Sequence, residues 1–323
     1  MLQLKALFEK PLSFSEGVYH LPQRDSVYEN QLQTNEAFSN KWDAYSKEDI
    51  SEQERLFEFQ RQWYLKLYGF DSELGLADYL KRKSVVIDAG CGLGYKAKWF
   101  ADLSPSSLVL GIDYSDSVYV AAERYKSTNN LVFLKGDIAD TQIANNAVDY
   151  VSCDQVIMHT ENPEQTFREL VRILKPNSDL SVYVYAKKAL PRELLDEHFR
   201  TKSKSISHEE MMEFSKQLTE LGKKLSSLKV SIEAPDIPLL GIKGGKIDIQ
   251  RFIYWNFIKC FWNEELGHAT SIATNYDWYS PSNAKRYSEE EFIAMAVSSN
   301  LKEIYFHTEE ACHSGRFRKE CAE

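Results

Sequence analysis

One short segment, Val85–Gly94, constrains the fold of this chain more than any other. It reads Val-Val-Ile-Asp-Ala-Gly-Cys-Gly-Leu-Gly, so an apolar run leads directly into three closely spaced glycines. Glycine tolerates the positive φ angles of a tight turn, and the amino terminus of a following helix offers unpaired N–H groups to a ligand. The segment therefore predicts the first strand, turn and helix of a nucleotide-binding α/β sheet.

The chain beyond this segment repeats the same pattern. Short apolar runs alternate with stretches of helical spacing, as in βαβ units built on a parallel sheet. Asn162 and Pro163 begin one of these helices with a cap and a proline at its first position. The predicted fold class is α/β, a doubly wound and mostly parallel sheet. The predicted strands are 84–88, 108–112, 131–134, 149–154 and 180–185.

The pattern also predicts how the chain is organised. Residues 1–80 have the polar and aromatic texture of an N-terminal helical lid segment, and 81–186 form the α/β core. The alternation stops over 187–285, where helical spacing predicts an insertion on the acceptor side. It resumes over 286–323, where a helix and two strands (301–306 and 316–321) complete the core.

Acidic residues follow the first three strands, at the end of the sheet where an open α/β fold binds its ligand. Asp88 stands two residues before Gly90 and suits a cationic amino group. Asp113 ends the second strand and can accept from two ribose hydroxyls. Asp137, after the third strand, can accept from an adenine amino group, with Ile138 against the ring. Each acid alone could be a turn former, but three in order predict a nucleotide site.

These residues closely resemble the pattern of class I methyltransferases that use S-adenosyl-L-methionine (SAM). The glycines are spaced G-x-G-x-G, which disfavours an NAD-linked oxidoreductase, and the likeness extends over residues 84–186. The resemblance implies SAM as cofactor, S-adenosyl-L-homocysteine (SAH) as product and no metal. It implies that these residues bind the cofactor: Asp88, Gly90, Cys91, Gly92, Gly94, Asp113, Tyr114, Ser115, Asp137, Ile138, Asp154 and Gln155.

The acceptor side is predicted by fewer features. His159 follows the fourth strand and is a candidate general base, with a structural histidine as the alternative. The segments Asp277–Pro281 and Ser314–Arg316 resemble a methyltransferase subgroup with a helical insertion after the fifth strand. That resemblance makes Trp278, Tyr279, His307 and Arg316 candidates for binding the acceptor. Aromatic stretches at 38–64 and 252–262 could cover the site or pack the insertion.

Composition narrows the function further. A net charge of −9 and the absence of a broad excess of Lys and Arg disfavour nucleic acid as a partner. Five scattered cysteines suit a reducing cytoplasm, and no apolar run predicts a membrane span. The sequence thus predicts a cytoplasmic enzyme that methylates an O or N atom of a small molecule, such as a sugar, a glycan intermediate or a specialised metabolite. An RNA methyltransferase and a cofactor-binding subunit without catalysis are the alternatives.

Overall fold

The computed structural model describes residues 4, 6–8, 11–22, 28–46 and 50–321, with the side chains of 43–46 and 50–52 left out. Within these ranges, strands form one ten-stranded sheet and one two-stranded sheet. The strands are β1 (Ser13–Ser15), β2 (Val18–His20), β3 (Val85–Ala89), β4 (Leu108–Asp113), β5 (Leu131–Lys135), β6 (Val148–Cys153), β7 (Leu174–Ala186), β8 (Ser231–Ala234), β9 (Gly245–Asp248), β10 (Arg286–Tyr287), β11 (Leu301–Thr308) and β12 (Cys312–Lys319).

The helices of the described chain alternate with these strands along the sequence. Five of them begin at a residue whose side chain caps the helix, such as Asn162, whose side chain accepts from the backbone N–H of Gln165. The α-helices are α1 (Glu29–Ser46), α2 (Ile50–Tyr68), α3 (Glu73–Leu80), α4 (Tyr95–Leu103), α5 (Ser117–Arg124), α6 (Pro163–Ile173), α7 (Leu190–Lys202), α8 (His208–Ser227), α9 (Ile249–Asn256), α10 (Gly267–Tyr279) and α11 (Glu289–Ser298). No described helix is both long and apolar enough to cross a membrane.

The large sheet has the strand order β1-β2-β5-β4-β3-β6-β7-β12-β11, with β10 paired to β7. Neighbours from β2 to β7 are parallel, whereas β1 at one edge and β12 and β11 at the other are antiparallel. The order reverses at β3, because β4 and β5 lie on one side of it and β6 and β7 on the other. Ligands bind at the carboxyl ends of strands beside such a reversal. This is the predicted doubly wound, mostly parallel fold.

Both faces of the sheet are covered, since alternate side chains of β3 enter two different apolar clusters. Val85 and Ile87 pack with side chains of α6 and α11 on one face. Val86 packs with side chains of α2, α3, α4 and α5 on the other. Burial on both faces explains why the parallel strands read as continuous apolar runs rather than as alternating patterns.

The described chain divides into two compact units. The sheet unit contains the described residues before Glu29, then Trp42–Tyr185, and the chain from Lys285 onward. The helical unit contains Glu29–Lys41 and Ala186–Ala284, with α7 to α10 and the antiparallel β8–β9 hairpin. The four-segment division drawn from the sequence stays a prediction.

The strands differ from their predicted bounds in places. The fifth strand of the core starts at Leu174 rather than at 180, because β7 already pairs with β6 there. The final strand spans Cys312–Lys319 rather than 316–321. The segment 1–80 also contains two strands that the sequence pattern did not predict, β1 and β2. They are too short for a period-two pattern and join the sheet where β2 pairs with β5.

Candidate functional site

The glycine-rich turn lies at the carboxyl end of β3, at the reversal of strand order. Gly90, Gly92 and Gly94 all have positive φ angles, of 81°, 52° and 75°. A Cβ atom on Gly90 would stand 2.3 Å from Cγ2 of Val156, and one on Gly94 would stand 2.8 Å from the Phe133 ring. Glycine is therefore required at these two positions by both the backbone conformation and the packing.

Asp113, at the end of β4, holds this turn in place. Its Oδ2 accepts from the backbone N–H of Gly92 at 2.7 Å, and its Oδ1 accepts from the N–H and the hydroxyl of Ser115 at 2.8 and 2.6 Å. A carboxylate offers about four acceptor positions, so these bonds leave little more than one for a ligand. Asp113 is thus an anchor of the turn as well as a candidate ligand-binding residue.

A buried ionic cluster lies beside the turn. Lys96, in the first turn of α4, places its Nζ 2.7 Å from Oδ2 of Asp154 and 3.9 Å from Oδ1 of Asp88. Both carboxylates are almost completely buried, with relative exposures of 1% for Asp88 and 5% for Asp154. Burial alone would lower the pKa of Lys96, but the two carboxylates outweigh it and hold the pKa above its ordinary value.

The carboxylate of Asp88 is buried without accepting a hydrogen bond from the described chain. Neither of its carboxylate oxygens has a hydrogen-bond partner in the described part of the chain. Burial raises the pKa of Asp88 to about 6, against the attraction of the Lys96 ammonium. Lys96 pairs with two carboxylates, Asp88 and Asp154, and the charges of Asp154 and Asp113 also raise the pKa of Asp88, so the site suits a cationic ligand group.

Two tyrosines of α2 complete the wall of the cluster. The hydroxyl of Tyr68 donates to Oδ1 of Asp154 at 2.7 Å. The hydroxyl of Tyr64 lies 2.5 Å from that of Tyr150 and donates to Ser152 Oγ at 3.1 Å. Burial raises the pKa of Tyr68 well above its ordinary value, and Asp154 adds to this. Both tyrosines therefore stay protonated donors.

The other predicted cofactor residues follow the next strands. Gly136 continues the ladder, with its N–H bonded to the carbonyl of Asp113 at 2.9 Å, and so brings Asp137 beside the end of β4. Oδ1 of Asp137 accepts from the N–H of Ala139 at 2.8 Å, and Ile138 is buried. Gln155 has a φ of 64° after β6 and donates to Asp154 at 3.3 Å. Tyr114 and Ser115 follow Asp113, and Cys91 is buried within the turn.

The acceptor candidates are dispersed. His159 is buried after β6, with Nε2 3.3 Å from the hydroxyl of Tyr185. In the same unit, His307 on β11 pairs with Glu309, which follows the strand. The Arg316 guanidinium packs 4.3 Å from the Phe70 ring centroid. Trp278 and Tyr279 are buried within the helical unit.

Sequence reasoning missed Lys96 and Tyr68 as members of this site, and it considered Tyr64 only as part of an aromatic stretch that could cover the site. A lysine in the first turn of a helix usually reads as a solvated charge, yet here its position two residues after Gly94 directs it to Asp88. The tyrosines are separated from the turn by more than twenty residues of sequence, so only the packing of α2 reveals them. In the described ranges, no group of three or more His, Cys, Asp or Glu side chains could hold a metal ion.

The chain has relatives with known names. Residues 87–182 match the family described as "Methyltransferase domain". Sterol 24-C-methyltransferase erg6 of Schizosaccharomyces pombe is 32% identical over 108 residues, which are 32% of this chain and 28% of that protein. The uncharacterized methyltransferase C1B3.06c of the same yeast is 29% identical over 120 residues, 34% of this chain and 42% of that protein. The match spans less than half the length of these relatives.

Two solved structures are also similar. Magnesium protoporphyrin IX methyltransferase (ChlM) from Synechocystis, with bound SAH, has a TM-score of 0.48 at 14% identity, covering 90% of this chain and 100% of that one. PKMT2 from Rickettsia typhi, in complex with AdoHcy, has a TM-score of 0.49 at 16% identity, covering 74% of this chain and 49% of that one.

The fold and the turn define a Rossmann-like nucleotide-binding unit. The family match specifies the class of this segment: residues 87–182 are similar to a methyltransferase domain, and SAM is the cofactor. The residues fit this cofactor, because the buried carboxylate of Asp88 has only the 3.9 Å ion pair with Lys96 in the described chain and suits a cationic amino group, and the glycine turn leaves room for close approach of a ligand.

Proposed function

We propose that the chain transfers the methyl group of SAM to an O or N atom of a small molecule, such as a sugar, a glycan intermediate or a specialised metabolite. Bound SAM supplies an electrophilic methyl group on a sulfonium. The observation that carries the donor half of the proposal is the buried carboxylate of Asp88 beside the glycine turn, whose oxygens accept no hydrogen bond from the described chain.

We assign the following roles to the chain's own residues. Asp88 accepts from the amino group of the cofactor, and Asp113 accepts from a ribose hydroxyl while it keeps Gly92 in place. Asp137 and Ile138 contact the adenine, and Asp154 and Gln155 border the methyl-bearing end. His159, in contact with the Tyr185 hydroxyl, takes the acceptor's proton where the acceptor needs a base.

The acceptor class rests on charge and on where the relatives match. The erg6 protein is named for a sterol, but its similarity to this chain lies in the donor-binding segment, so that acceptor does not carry over. The net charge of −9 disfavours an RNA acceptor. A small acceptor is therefore the better proposal, with Trp278, Tyr279, His307 and Arg316 kept as candidate contacts.

Two experiments test the two halves of the proposal. Calorimetry with SAH should give saturable binding, and no binding at millimolar SAH would contradict the donor half. Incubation with radiolabelled SAM and a fractionated cell extract should label the small-molecule fraction. Label confined to RNA would overturn the acceptor half, and binding without any transfer would favour a subunit that lacks catalysis.

Replacing Asp113 with alanine is expected to raise the SAH dissociation constant by about ten- to hundredfold, since a hydrogen bond to a charged group contributes about 1.5–3 kcal/mol. The substitution removes both the ribose acceptor and the anchor of Gly92. Calorimetry measures the effect. Asp116→Ala is the matched control, because that exposed carboxylate lies three residues away and pairs with Lys135 at the surface. Equal losses in both variants would contradict the assignment.

A further inference from the structure

A group of cationic side chains surrounds one buried indole in the helical unit. Trp278, on α10, is 3% exposed. The cationic groups of four residues lie within 6 Å of its ring centroid: Lys259 at 4.4 Å, Arg192 at 5.0 Å, Arg200 at 5.8 Å and Lys188 at 5.9 Å. An indole face attracts a cation, but the convergence of four cations on one ring brings like charges together at a cost.

The acidic residues near this group pair with side chains other than Lys259. Both oxygens of Asp196 lie 3.0 Å from Nε of the buried Arg192. Asp277 pairs with Lys41. Arg200 donates to the carbonyl of Pro281 at 2.9 Å. These contacts hold the arginines in place. Asp277 and Asp196 attract the ammonium of Lys259 from a distance, but neither forms a hydrogen bond or ion pair with it in the described part of the chain.

Lys259 is that lysine. It is 7% exposed, and its ammonium forms no hydrogen bond or ion pair with any residue that the structure describes. Burial lowers its pKa well below the ordinary value, and Arg192 lowers it further, although Asp277 and Asp196 oppose this. A buried ammonium without a partner is costly. An anion bound beside Lys259 would stabilise its charged form.

The backbone around Lys259 is fixed. Its N–H donates to the hydroxyl of Tyr279 at 2.9 Å. Asn275 accepts from the N–H of Phe261 at 2.8 Å and donates to the carbonyl of the same residue at 3.1 Å. A Cβ on Gly222 of α8 would stand 2.2 Å from the carbonyl oxygen of Cys260, so the helix and this segment are in close contact. The backbone that carries Lys259 is therefore held in position before any ligand arrives.

We propose that Lys259, Arg192, Arg200 and Lys188 form a binding site for a phosphate group around Trp278. A phosphate carries nearly two negative charges at neutral pH and three acceptor oxygens, so it can meet several converging cations at once. A carboxylate carries one charge and two oxygens and satisfies fewer of them. The site lies within the helical unit and adds a second ligand class to the chain, independent of methyl transfer.

Calorimetry on the full chain, with sodium chloride holding the ionic strength constant, tests the site. Inorganic phosphate and glucose 1-phosphate should both bind saturably, and acetate should bind at least tenfold more weakly. If phosphate alone binds, the ligand is the free ion; if the ester binds at least as well, the site takes a phosphorylated molecule. Phosphate that has no more effect than chloride would overturn the proposal.

Substitution identifies the residue. Lys259→Met should raise the phosphate dissociation constant at least tenfold, whereas Lys259→Arg should retain binding. Lys223→Met is the matched control, because Lys223 also lies over an indole of this unit, 5.2 Å from the Trp262 ring centroid, but is exposed. Unchanged binding in Lys259→Met would contradict the site.

If Lys259→Met does not fold, the unfolding midpoint of the wild type with phosphate decides. It should rise above the midpoint in chloride of equal ionic strength, and an unchanged midpoint refutes the site. SAH binding is measured in parallel, so that failure of the phosphate site and failure of the proposed methyl transfer are distinguishable.

Discussion

Replacing Gly90 with alanine is expected to abolish measurable SAH binding and to destabilise the sheet unit by about 2–4 kcal/mol. Two costs add up in this variant. A residue with a Cβ at a φ of 81° loses about 1–2 kcal/mol relative to glycine. The new Cβ would also stand 2.3 Å from Val156, so either the turn or the segment after β6 must move, and both border the cofactor site.

The chain offers a control that separates these two costs. Gly267, at the start of α10, has a φ of 80°, and a Cβ there would meet no atom within 4 Å. Gly267→Ala should therefore show the backbone cost alone and leave SAH binding intact. Thermal unfolding and calorimetry measure both variants. SAH binding by Gly90→Ala at wild-type affinity would refute the role of this turn.

Replacing Asp88 with asparagine should have opposite effects on stability and on binding. The pKa of Asp88 is about 6 in the folded protein, above the value of 3.8 that is usual for an aspartate. The folded state therefore holds this proton more tightly than the unfolded chain does, and the free energy of unfolding falls as the pH rises from about 4 to about 6. Above that range the ionised carboxylate is a fixed cost, and Asp88→Asn should recover about 1–2 kcal/mol of it at pH 7.

The same ionisation should govern cofactor affinity. Only the ionised carboxylate pairs with a cationic amino group, so the SAH dissociation constant of the wild type should fall about tenfold between pH 5 and pH 7 and then level off. Asp88→Asn should bind SAH about ten- to hundredfold more weakly at pH 7 and lose most of this pH dependence. Calorimetry across this pH range tests both points.

A surface variant controls for general charge effects. Asp102→Asn removes a carboxylate from the exposed end of α4, where it pairs with Lys98. It should change neither the affinity for SAH nor its pH dependence. A pH profile that is the same in Asp88→Asn and in the wild type would contradict the assignment of the titrating group to Asp88.

The sequence was sufficient for the parallel core because local signals and the fold agree there. The glycine turn after β3 and the acids after β4 and β5 are adjacent to strands whose apolar runs are unambiguous. The cap at Asn162 likewise predicted the start of α6. In each case residues within a few positions of one another determine the structure.

The parts that could not be predicted depend on contacts between distant segments. The edge strands β1 and β2 have three residues each, too few for a periodic signal, and are strands only because β5 offers a partner. Lys96 is part of the site because its ion pairs with Asp154 and Asp88 offset the free-energy cost of burying a lysine ammonium. The cations around Trp278 come from α7 and from the segments that precede α7 and follow α9. These segments are distant in sequence, so no short motif predicts that they come together.

The hydroxyls of Tyr64 and Tyr68 also bear on which piece of this chain could stand alone. The segment that the chain shares with other methyltransferase domains is 87–182, but α2 supplies the donor to Asp154 and covers the face of the sheet that contains Val86 and Tyr150. A fragment cut to the shared segment would keep α4 and α5 but lose α2 and α3, so it would expose part of that face to water. It would also leave Asp154 with Lys96 and Gln155 as its only described polar partners. The smallest piece that keeps its shape is therefore larger than the piece that relatives share, and a useful truncation must begin ahead of Ile50.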